Sequence, residues 1–151
     1  MSQTQVRLNL ALTALVLLGV LGYFVSVITP ATVDEAQRAF LPVDVAKHIE
    51  TEEPPGPMFN SYNWGGYLLY ALPDYPVYVD GRTDLYRDDL LSRYLQAALA
   101  QPGWRDILDE DGIRLVVVES GSGLATALRE EVGWSLEYED DRAVIFSRDE
   151  V

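Results

Sequence analysis

The longest feature in the hydrophobic pattern is a run in which nothing is charged. From Leu8 to Thr29 the chain reads L-N-L-A-L-T-A-L-V-L-L-G-V-L-G-Y-F-V-S-V-I-T, with no Asp, Glu, Lys or Arg. At about 1.5 Å per helical residue such a run crosses a hydrocarbon layer about 30 Å thick. It predicts a transmembrane helix over residues 8–29, preceded by a short cytoplasmic tail, residues 1–7. A cleaved secretory signal has an apolar region of only about 7–15 residues and a small-x-small cleavage site. V-I-T-P-A-T offers no clear site of that kind, which favours an uncleaved signal-anchor. Pro30 is expected to stop the helix, and residues 30–40 to form a polar linker.

Beyond Leu41 the pattern breaks into short periods bounded by Pro, Gly and Asp. V-D-V-A-K-H-I-E after Pro42 places Val43, Ala46 and Ile49 on one helical face, and E-E-P-P-G-P closes it. M-F-N-S-Y predicts a first strand, and Asn63 is placed to cap a helix that Pro73 ends. P-V-Y-V-D predicts a second strand. Leu90, Leu91, Tyr94, Leu95, Ala98 and Leu99 recur at helical spacing behind Asp88 and Asp89, and a shorter helix follows Pro102-Gly103. I-R-L-V-V-V-E has the continuous apolar character of a strand covered on both faces. After a further helix, W-S-L-E-Y-E, a D-D turn and R-A-V-I-F-S predict an antiparallel hairpin. The order implies a small α/β sandwich over residues 41–151, with a mixed, mainly parallel sheet and a C-terminal antiparallel hairpin.

Charge narrows the partners. The chain has 11 Lys+Arg against 24 Asp+Glu, and Lys47 is its single lysine. With Arg7 in the tail, the polar part carries 10 against 24, a net of −14. Such a surface repels nucleic acid and anionic headgroups. Positive charge flanking the span is too sparse to orient it. The very short tail and the amino-terminal position of the span favour tail inside and domain outside the cytoplasm at the cell membrane. There is no cysteine and one histidine, His48, so no thiolate nucleophile, Cys-based metal site or multi-histidine centre is available. No cofactor or metal is expected.

The residues that invite a chemical reading gather at predicted strand ends. If the early strands are parallel, their carboxyl ends share one rim, where open α/β sheets place ligands. Strand one ends in Asn60, Tyr62 and Asn63, strand two in Asp80, Arg82 and Asp84, and strand three in Glu119, Ser120 and Ser122. The candidate contacts are Asn60, Tyr62, Asn63, Trp64, Asp80, Arg82 and Tyr86: aromatic faces for a sugar ring or peptide, Asp and Arg for hydroxyls or carboxylates. Each of these residues also has a plain structural reading. On that reading Gly65-Gly66 lets a helix pack closely, Trp64 is a core or a membrane-surface aromatic, Asn63 caps its own helix, and Asp80 pairs with Arg82 to hold the turn at Gly81. Gly121 to Gly123 is no phosphate loop, lacking the Lys and spacing of that motif.

The succession M-F-N-S-Y-N-W-G-G-Y-L-L-Y-A-L-P, V-Y-V-D-G-R-T-D-L-Y, G-W-x-x-I-L and W-x-L-x-Y-E-D-D-x-A-V-I-F, from about Leu41 to Arg148, resembles the soluble C-terminal domain of prokaryotic membrane proteins related to GT-C type, lipid-linked-sugar glycosyltransferases. Trp64-Gly65-Gly66-Tyr67 followed by Asp80-Gly81-Arg82 is also similar in placement to the Trp-Asp-Tyr-Gly motif of oligosaccharyltransferase catalytic subunits, which holds the acceptor peptide. Asn63-Trp64-Gly65-Gly66 replaces the acidic version, so acceptor binding is not carried over. The resemblance implies catalytic acids in an extracytoplasmic loop of a many-helix domain, and this chain has one span and no such loop. The expectation is therefore a membrane-tethered recognition or accessory domain, not catalytic alone, working with a glycan or peptide ligand or beside a multi-span transferase subunit. Two rivals are an autonomous hydrolase or transferase using Asp80 or Asp84 as base, and the tail fragment of a split multi-span glycosyltransferase.

Overall fold

The computed structural model describes residues 2–82, 84 and 86–149. Thr83 and Leu85, within the D-G-R-T-D-L-Y stretch, lie outside the described residues. The chain forms two compact units, residues 1–40 and 41–151.

The first unit holds α1 (Gln3–Val27) and α2 (Pro30–Phe40). Ser2 and Gln5 close a reciprocal cap at the start of α1, and none of its residues is buried. The stretch 30–40, expected as a polar linker, is helical. Thr29 caps it: its hydroxyl accepts from the Thr32 amide at 3.2 Å, while its own amide donates to the Thr32 hydroxyl at 2.9 Å. Pro30 then occupies the first helical position, where a missing N–H costs nothing. It separates the two helices by starting the second.

The second unit is a three-layer α/β sandwich. Its elements are α3 (Val43–Glu52), β1 (Met58–Asn60), a 3-10 turn (Tyr62–Trp64), α4 (Gly65–Ala71), α5 (Asp88–Ala98), α6 (Trp104–Glu110), β2 (Leu115–Glu119), α7 (Gly123–Leu128), β3 (Trp134–Glu139) and β4 (Ala143–Arg148). The sheet runs β1-β2-β4-β3, with β1 parallel to β2 and the other two pairings antiparallel. Alternation along the strands sorts the core into two sides. Phe59, Val116, Val118, Val144 and Phe146 pack with α5, α6 and α7, whereas Met58, Leu115, Val117, Ala143 and Ile145 pack with α3 and α4. Both faces of β2 are therefore covered, which is why it reads as V-V-V without polar alternation. At the hairpin, Asp140 Oδ1 accepts from the amides of Arg142 and Ala143, each at 2.8 Å, so the D-D pair serves the turn.

Two expectations need correction. Pro76–Asp80 joins no strand ladder, and the parallel part of the mixed sheet is the single β1–β2 pair. Asn63 does not cap α4. The 3-10 turn starts the helical path earlier, with the Trp64 amide donating to the Ser61 carbonyl at 3.1 Å, and Asn63 sits exposed within that turn.

Candidate functional site

The carboxyl ends of β1 and β2 lie side by side. Beyond the last paired residue the Ser61 amide continues the register by donating to Val117 O at 2.9 Å, and the Ser61 hydroxyl donates to Glu119 Oε1 at 2.6 Å. The next amide, that of Tyr62, donates to the hydroxyl of Tyr94 on α5 at 2.8 Å. Tyr94 stacks on Phe59, with ring centroids 5.4 Å apart. The turn after β1 is thus held to β2 on one side and α5 on the other.

The segment 76–80 runs along the free edge of β1, joined through a side chain. Asn60 is fully buried, and its amide group donates to Val79 O at 2.8 Å and accepts from the Tyr78 amide at 2.7 Å. The carboxamide presents an N–H donor and a C=O acceptor toward this segment, so it stands in for one peptide rung, while its second N–H donates to the Ser61 carbonyl at 2.9 Å. α4 then closes over the same segment. A Cβ built on Gly65 would lie 2.0 Å from Val79 O and 2.7 Å from Asp80 Cα. Only glycine permits this approach. The glycine answers to the neighbouring backbone.

After this contact the chain turns at Gly81. Asp80 is buried, and its carboxylate accepts from the Arg82 amide at 2.9 Å and from Arg82 Nε at 2.9 Å. Hydrogen bonding to the Arg82 side chain holds this carboxyl down at about 2, against the opposing effect of burial, with smaller help from the Arg82 amide and Tyr86. The Tyr86 hydroxyl accepts from the Asp80 amide at 3.0 Å and closes the loop. The Arg82 side chain is 59% exposed, so one partner of the ion pair is sealed and the other faces water.

The seven candidate contacts divide accordingly. Asn60, Trp64 and Asp80 are buried, and the polar atoms of Asn60 and Asp80 are engaged internally; all three build the corner. Arg82 and Asn63 are exposed, and Tyr62 and Tyr86 are half-buried; these four face the surface. Asp84 is exposed. A carboxylate whose pKa is held at about 2 is too weakly basic to draw a proton from a substrate near neutrality, so Asp80 is poorly matched to the general-base role set out for it. His48 rests against the ring of Tyr138, centroids 5.2 Å apart. Among the described residues no group of three or more His, Cys, Asp or Glu is arranged to hold a metal ion.

Two features of the second unit escaped the pattern. Tyr94 reads as a core position at helical spacing, and nothing in that spacing announces that its hydroxyl receives the Tyr62 amide. The second is a cleft of about 800 Å³ beside the amino end of β1, between the carboxyl ends of α3 and α4. Ile49, Met58 and Leu72 form its floor, Pro54, Pro57, Pro73 and Pro76 its rim, and Glu50, Glu53 and Asp74 its carboxylates. Tyr75 crosses it, its hydroxyl donating to Pro54 O at 2.9 Å. In sequence this is two proline-bounded turns, E-E-P-P-G-P and L-P-D-Y-P. Their convergence depends on the tertiary fold.

Comparison with family models, with curated proteins and with solved structures finds no match for this chain.

Proposed function

We propose that the protein is a membrane-tethered recognition or accessory module, with α1 as its anchor and residues 41–151 outside the cytoplasm as the working part. The observation that carries this reading is a contrast in burial. α1 is 25 residues long with a mean hydropathy of 2.4 over its most apolar window and buries nothing, whereas residues 41–151 enclose apolar cores on both sheet faces without it. An apolar helix that its own chain leaves uncovered needs another apolar surroundings, and a bilayer supplies it. The surface offered to a ligand is the outer side of the corner, with Tyr62, Asn63, Arg82 and Tyr86. Aromatic edges beside an exposed guanidinium suit a glycan or an extended peptide. The resemblance to the C-terminal domain of GT-C type transferases favours a multi-span transferase as the subunit beside which it works.

The reading is tested in two stages. Alkaline extraction of membranes should leave the full chain in the pellet, and protease added outside intact cells should cut residues 41–151; release by alkali or full protection removes the tether or its orientation. Titration of the detergent-solubilised chain with oligosaccharides and peptides should show binding that Arg82→Ala and Asn63→Ala weaken. Parent-like binding by both variants removes the corner as the site. Turnover of a sugar donor or ester by the purified chain, abolished in Asp84→Asn, would favour the autonomous enzyme.

A further inference from the structure

We infer that α2 is an interfacial helix, whose Val33, Ala36 and Phe40 face lies in the headgroup boundary of the bilayer that α1 crosses. The inference rests on the reading of α1 as a membrane anchor.

Only Ile28 and Thr29 separate α1 from α2, and the Thr32 hydroxyl reaches back to the Val27 carbonyl at 2.8 Å, so the first turn of α2 is held against the end of the apolar span. The headgroup layer on each side of the hydrocarbon is about 5–7 Å deep. The first turn of α2 therefore starts inside that layer. The junction is hydrogen-bonded: the Thr32 hydroxyl donates to the Val27 carbonyl, the Thr32 amide donates to the Thr29 hydroxyl at 3.2 Å, and the Thr29 amide donates to the Thr32 hydroxyl at 2.9 Å. A carbonyl at the end of α1 and an amide in the first turn of α2 are thus supplied with partners where water is scarce.

The pattern around α2 decides how it lies. At 100° per residue Val33, Ala36 and Phe40 fall within an arc of about 60°, while Asp34, Arg38 and Glu35 fall within about 100° on the opposite side. Asp34 and Arg38 pair across one turn at 3.0 Å on that outer side. Val33 is 44% and Phe40 76% exposed. Pointing away from the membrane, an eleven-residue helix would carry Phe40 about 15 Å into water. Lying in the plane, it buries both side chains at the boundary where aromatic rings collect and keeps its three charges wet. Asp34 and Glu35 against Arg38 leave a charge of −1, so apolar burial and not attraction to anionic lipid holds the helix down.

The absence of cysteine allows a direct test. The full chain is reconstituted in phosphatidylcholine vesicles with single cysteines at positions 31–40, each carrying a nitroxide, and collision rates with oxygen and with a water-soluble nickel chelate are measured. Labels at Val33, Ala36 and Phe40 should show an oxygen-to-nickel ratio several-fold above those at Asp34, Glu35 and Arg38, repeating every 3.6 residues. Leu17→Cys serves as the reading of the anchor. If Leu17 is oxygen-rich and every α2 position is equally open to nickel, the interfacial helix is refuted while the anchor stands. If positions 33, 36 and 40 are shielded from both reagents, protein covers that face and the inference is equally refuted. Nickel access at Leu17 itself removes the anchor, and this inference with it.

Discussion

The carboxamide of Asn60 occupies the place of a missing peptide rung beside Val79, donating to its carbonyl at 2.8 Å while accepting from the preceding amide of Tyr78 at 2.7 Å. It is fully buried, so no water replaces what a mutation removes. Asn60→Leu keeps the branched outline of the side chain but removes the partner of the Val79 carbonyl and of the Tyr78 and Val79 amides, which should cost about 3 kcal/mol or more in urea denaturation of the detergent-solubilised chain. Asn63→Ala, on the exposed 3-10 turn, should stay within about 0.5 kcal/mol of the parent. Equal effects of the two changes would mean that the Asn60 rung carries no stability.

Adjacent glycines in W-G-G-Y should respond oppositely. At Gly65 an added methyl meets Val79 O at 2.0 Å, a backbone atom that cannot rotate away, so Gly65→Ala must push α4 off the 76–80 segment and should cost about 3 kcal/mol or more. At Gly66 nothing lies within 4 Å and the residue is helical, so alanine removes only unfolded-state freedom. Gly66→Ala should be stabilising by about 0.5–1 kcal/mol. Thermal unfolding of the two variants side by side checks the pair, and a stabilising Gly65→Ala would contradict the close approach.

How much of this was legible in the chain follows from what periodicity can report. The absence of charge from Leu8 to Thr29 marks α1 directly, the V-V-V of β2 reflects cover on both faces, and the D-D between two β-rich runs marks the hairpin. P-V-Y-V-D carries the same β-forming residues as a strand, yet its hydrogen bonds come from the Asn60 side chain, a partner remote in sequence that no local pattern reveals. Residues 30–40 read as a linker because Thr, Pro and three charges dominate them. Their helix shows only when the apolar positions 33, 36 and 40 are counted on one face. At the corner, polar letters near strand ends indicated placement correctly but not direction: Asn60 and Asp80 face inward, Asn63 and Arg82 outward. Strand-end polarity alone does not distinguish a residue that binds from one that braces.

Tyr94 offers a local readout of the corner. Its hydroxyl takes the Tyr62 amide at 2.8 Å while its ring stays in the core against Phe59. Tyr94→Phe preserves the stack and removes the acceptor, at an expected cost of about 1–2 kcal/mol. Amide hydrogen exchange should quicken at Tyr62 well beyond the change seen in β2. A uniform change across both would assign the loss to global stability alone.

The Asp80–Arg82 pair predicts a specific acid response. Folding lowers the Asp80 carboxyl from 3.8 to about 2, so between those values the unfolded chain binds the proton more readily than the folded one. The resulting stability is complete above about pH 5, declines as pH falls through 4, and is lost near pH 2. A shift of this size corresponds to about 2 kcal/mol if fully realised. Because the Arg82 side chain is 59% exposed to water, about 1–2 kcal/mol is the better expectation. Asp80→Asn keeps an oxygen to accept from the Arg82 amide but cannot titrate. Parent and variant should therefore differ by that amount at pH 6 and converge toward pH 2, while other carboxylates lower both curves alike. A gap that stays constant across the range would show that the stability at this turn comes from hydrogen-bond geometry and not from the charge on Asp80.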